Sequence, residues 1–102
     1  RDYMGPEEVH SLICSILNAG PVNVAIDTYT KKAVSKFQML DALRGKFGLV
    51  YEVDGEAVLL NATGSKANYF SKNHLAYDIF GYSPQKTALE IVLQQAEDLL
   101  FL

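Results

Sequence analysis

Tryptophan is missing from this chain, and cysteine occurs once, at Cys14. One thiol closes no internal disulfide and completes no four-ligand zinc site. No run of about 18 apolar residues is present, so no membrane-spanning helix and no membrane partner is expected. No basic-then-apolar leader opens the chain. The sequon Asn61-Ala62-Thr63 is therefore read as chance, and the expected location is intracellular, cytoplasmic or nuclear. Positive charge is scarce: nine Lys and Arg stand against 12 Asp and Glu, for a net charge of −3. That excludes indiscriminate coating of nucleic acid, which needs a strong positive field. A local basic surface on an acidic body stays open. There is no internal repeat, low-complexity tract or domain-splitting linker. The chain opens on Arg1 and closes on Leu99-Leu100-Phe101-Leu102, which suggests a piece of a longer protein.

What is there is a single domain's worth of sequence, 102 residues. Hydrophobic residues make up 49% of it, enough for one core, so disorder is not expected. Gly5, Pro6, Glu7 and Glu8 carry the cap, first-position and dipole signals of a helix start. Val9, Leu12, Ile13, Ile16 and Leu17 then repeat at helical spacing as one apolar stripe, and Asn18-Ala19-Gly20-Pro21 stops the helix. Val22, Val24 and Ile26 alternate with Asn23, Ala25 and Asp27, which suits a short strand, while a capped short helix fits as well. Residues 32–44 read as a helix with Ala33, Phe37, Leu40 and Leu43 inward. Lys31, Ser35, Gln38 and Ala42 fall on its opposite face.

Asp54-Gly55 between Leu49–Val53 and Glu56–Leu60 predicts a two-stranded hairpin with a type I′ turn. Its core face would carry Phe47, Leu49, Tyr51, Val58 and Leu60. After a polar connector over 61–73, a short helix fits around His74–Phe80, with Gly81 ending it. A final helix is expected with Ser83 as cap and Pro84 first. Its stripe is Leu89, Val92, Leu93, Ala96, Leu99 and Leu100.

This order of elements resembles a winged helix-turn-helix over residues 7–62. The resemblance rests on Gly20-Pro21-Val22-Asn23-Val24, on Leu40 and Leu43, and on Gly48-Leu49-Val50. The run Phe37-Gln38-Met39-Leu40-Asp41-Ala42-Leu43, with Lys46-Phe47 and Tyr51–Leu60, is similar to the end of LOTUS (OST-HTH) domains. Members of that family bind RNA or an RNA helicase. The fold so implied is α+β, a winged helix with a two-stranded wing and added C-terminal helices over 63–102. Those 40 residues depart from the family, which usually closes with one helix.

Four constellations bear on function. Lys31, Lys32, Lys36, Arg44 and Lys46 concentrate five of the nine basic residues against one acid, Asp41. A recognition helix sets such residues on phosphates and short polar side chains on base edges. The expected nucleic-acid contacts are Lys31, Lys32, Ser35, Gln38, Arg44 and Lys46, with RNA favoured over DNA. Glu52, Asp54 and Glu56 at the wing tip would repel phosphate. The last helix offers a protein-docking or homodimer surface at Leu93, Leu100 and Phe101. Cys14 with Asn73, His74 and Asp78 could form a nucleophile set. No Gly-rich turn surrounds Cys14, though, so the expectation is a buried structural thiol and no catalytic residue. His10 and Cys14 at i, i+4 give two metal ligands, too few for a site. No metal and no cofactor is implied. The sequence thus points to a non-enzymatic binding module: a nucleic-acid binder through helix 32–44, or alternatively a protein-interaction domain through helix 84–102.

Overall fold

The computed structural model describes residues 1–54 and 68–101. Its regular elements are four helices: α1 (Pro6–Asn18), α2 (Lys36–Phe47), α3 (Leu75–Phe80) and α4 (Ala88–Leu100). The described residues contain no strand. The fold is helical, and the expected α+β winged helix with a two-stranded wing is overturned. Residues 49–53, the wing's first arm, are irregular; the second arm, 56–60, lies outside the described residues.

The irregular course of 49–53 has a local cause. The Tyr51 hydroxyl donates to Asp41 Oδ1 at 2.6 Å, and the Arg44 guanidinium stands 4.2 Å from the Tyr51 ring centre. The segment folds back on α2 through its side chains. Leu49 and Tyr51 are half-buried and Val50 and Glu52 exposed, so the period of two is present without a ladder. Residues 22–27 behave alike. They form neither strand nor helix; Val22 and Val24 are exposed while Ile26 packs on the core.

Two helix starts differ from expectation for one shared reason. The Lys31 N–H donates to the Lys86 carbonyl, and the Ala88 N–H donates to the Lys32 carbonyl. These two bonds satisfy backbone groups at 31–32 and 86–88 across the fold, and the chain is not helical before Lys36 or before Ala88. The helix expected from residue 32 therefore begins at Lys36, and the one expected from Pro84 begins at Ala88. Each start is fixed by a side-chain cap. Ser35 and Gln38 form a reciprocal capping box, and the Thr87 hydroxyl accepts from the Glu90 N–H. Gly48 and Gly81, with φ of 73° and 70°, close α2 and α3 in the left-handed conformation that suits glycine.

The core is narrow. Leu12, Tyr29, Ala76 and Tyr82 form it, with Met4 and Ile26 against them. Tyr82 donates to the Tyr29 carbonyl at 3.0 Å, and the two rings meet edge to face at 5.5 Å. Ile91 is buried where α4 passes Gly5: a Cβ there would stand 3.0 Å from Ile91 Cγ2 and 2.6 Å from the Glu8 carboxylate. Packing joins α1 to α3 and α2 to α4. The second pair is loosely closed, since α2 has no fully buried residue. Phe37, expected inside, is 52% exposed. The resulting body measures 51 × 34 × 19 Å, about two helix diameters thick.

Candidate interaction surfaces

Four of the six residues expected on nucleic acid are engaged within the fold. Ser35 and Gln38 hold each other's backbone N–H groups in the capping box at 3.2 and 3.1 Å. Arg44 lies over Tyr51, and Lys46 pairs with Glu97 at 3.5 Å. Lys31 and Lys32 are exposed but lie in a bend ahead of α2. Ser-x-x-Gln is itself a helix-start signature, so the sequence held the signal that these two residues cap a helix.

The apolar stripe of α1 divides in two. At about 100° per residue, Glu8, Leu12 and Ser15 occupy one arc of roughly 60°. Glu8 and Leu12 are buried and Ser15 half-buried. Ile16, Val9, Ile13 and Leu17 occupy the adjoining arc of about 100°, and all four are exposed, Leu17 to 77%. No Asp, Glu, Lys or Arg falls within that arc. The helix is amphipathic over a wider sector than the core covers. Periodicity marks the whole stripe as apolar, but only the tertiary packing reveals which part stays exposed.

The end of α4 is the second apolar surface. Leu99, Leu100 and Phe101 are exposed at 70%, 61% and 74%. Leu93 is half-buried on the helix that packs on α2. The Phe101 ring meets Phe47 at 6.4 Å. Leu100 and Phe101 are thus where a partner could reach them, whereas Leu93 is partly taken up by the fold.

Cys14 is exposed, contrary to the expected buried thiol. Its Sγ lies 3.5 Å from His10 Nε2, one turn away. His74 instead stacks on Tyr29 at 4.3 Å. The Asn73 side chain accepts from the Leu75 N–H. The cysteine and histidine of the imagined nucleophile set therefore have different partners. Among the described residues no three His, Cys, Asp or Glu side chains cluster for a metal. No helix among them is long and apolar enough to cross a membrane.

Electrostatics single out one group in the core. Burial pushes the Tyr82 hydroxyl up to about 12, helped by the charges of Glu8 and Asp2 and by Tyr29. The Tyr51 hydroxyl is also raised, chiefly by its hydrogen bond to Asp41. Asp2 accepts from both the N–H and the hydroxyl of Thr30, tying the chain's start to the core. Compared with family models, with curated proteins and with solved structures, the chain finds no match.

Proposed function

We propose that this protein is a non-enzymatic interaction module that docks protein through the apolar face of α1, and that the occupant of that face is a second copy of the chain. The observation that carries this reading is the exposed, charge-free arc of Val9, Ile13, Ile16 and Leu17. An isologous pair sets a patch against its own copy. A patch without charges brings no like charges together when it does so.

Surface area supports the same reading. The chain exposes 7786 Å², against roughly 5,700 Å² expected for a folded monomer of this mass. That surplus is spread over the whole chain, and the α1 face is one part of it. An exposed thiol at Cys14 suits an intracellular setting, where thiols stay reduced.

Sedimentation equilibrium of the wild type and of Ile13→Glu with Ile16→Glu tests the proposal. The wild type should dimerise at micromolar concentration. The double variant should be monomeric with unchanged helical circular dichroism, because a buried carboxylate would have no partner in the interface. A wild type that is monomeric at 100 µM would sink it. So would a dimer that survives the double substitution. Leu100→Glu serves as the comparison: loss of the dimer there, and not with the α1 variant, would move the interface to α4.

A further inference from the structure

A second site lies away from the α1 face. A cleft of about 380 Å³ opens between the segment before α2 and the one leading to α3, lined by Arg1, Lys32, Ser35, Asn68 and Phe70 among others. Two backbone bonds of 2.8 Å between Arg1 and Val34 fix one wall. The Lys32 carbonyl, bonded to the Ala88 N–H and the Thr30 hydroxyl, fixes its neighbour. The Arg1 guanidinium stands 5.3 Å from the Tyr69 ring centre, and Phe70 is 47% exposed.

The charges there have one sign. Arg1 and Lys32 line the cleft with no acid among its described lining residues. Asp2 and Asp27 belong to an adjoining cleft that shares Phe70. Both are already engaged: Asp2 accepts from Thr30, and Asp27 accepts from the Ser71 hydroxyl at 2.6 Å. Lys31, Lys36 and Lys72, all exposed, flank the lining residues in sequence. Two basic side chains on a braced backbone, beside an exposed aromatic ring, offer what a nucleotide unit requires. The base stacks on the ring and the phosphate meets the cations. The volume suits one such unit, being near the lower end for small-ligand clefts.

We infer that the cleft binds a nucleotide unit, with Phe70 as the stacking platform and Arg1 and Lys32 as phosphate contacts. The unit is supplied either by a single strand or by a free mononucleotide. Fluorescence anisotropy of a labelled ten-uridine strand at two salt concentrations, with uridine monophosphate as competitor, reads it out. The wild type should bind the strand more weakly as salt rises, because counterions are released on binding. Phe70→Ala should weaken it roughly five- to 150-fold, the effect of one lost stacking contact. Phe70→Trp should keep it, and Lys32→Glu should weaken it with an unchanged melting curve.

Competition by the monophosphate at the strand's own affinity identifies the mononucleotide as sufficient; failure to compete identifies the strand. No binding of either probe below about 100 µM at low salt, or binding indifferent to Phe70→Ala and Lys32→Glu, overturns the inference. Both cleft variants should sediment as the wild type does, so failure here and failure of the α1 interface are told apart.

Discussion

The Tyr29 hydroxyl is buried and finds no hydrogen-bond partner among the described residues. A buried unpaired hydroxyl keeps its desolvation penalty, about 1–3 kcal/mol. Tyr29→Phe removes the penalty and retains the ring that Tyr82 and His74 pack on. The variant should be more stable by about 1 kcal/mol, read as a higher urea midpoint at an unchanged slope. A lower midpoint would mean that the hydroxyl is paired. Tyr82 is the opposite case, because its hydroxyl is bonded and its neutral form is favoured in the fold. Its folded value of about 12 exceeds the ordinary tyrosine value near 10. Stability from this group is therefore complete below pH 10 and is lost as pH rises toward 12, where the unfolded chain releases the proton first. Melting temperature should fall across that range, and less steeply in Tyr82→Phe. Equal slopes in the two proteins would remove Tyr82 as the cause.

Each helix was visible in the sequence; their ends and neighbours were less so. The start of α1 was legible in Gly5-Pro6-Glu7-Glu8 because those signals act within one turn. The starts of α2 and α4 were displaced by backbone bonds between residues more than 50 positions apart. No local pattern encodes such bonds, so Ser83-Pro84 read as a start and Thr87 was passed over. The hairpin failed on a different ground. Asp54-Gly55 is a turn signal, but Tyr51 finds Asp41 and Arg44 on α2. Of the surfaces, the exposed tip of α4 was anticipated at Leu100 and Phe101, and the α1 face was not, since Val9, Ile13 and Ile16 read as core. Two substitutions separate the stripes. Leu12→Ala should cost about 2–5 kcal/mol, as a buried leucine does. Phe37→Ala should cost under about 1 kcal/mol, because an exposed side chain leaves little cavity. Urea melts giving comparable losses would place Phe37 inside.

At the scale of the molecule, the radius of gyration is 16.5 Å, against about 13 Å for a compact 100-residue domain. Length along one axis has been gained at the expense of depth along another. In a slab 19 Å thick, no amide lies farther than about 10 Å from solvent, roughly one helix diameter. Protection against hydrogen exchange then depends on cooperative opening more than on distance from water. The slowest amides should cluster around the buried residues Leu12, Ala76, Ala88 and Ile91, and α2, which has no fully buried residue, should exchange earlier. Raising the protein concentration should slow α1 further and leave α2 unchanged. The clock that each helix keeps would thus record, residue by residue, which side of the slab a neighbour has come to shelter.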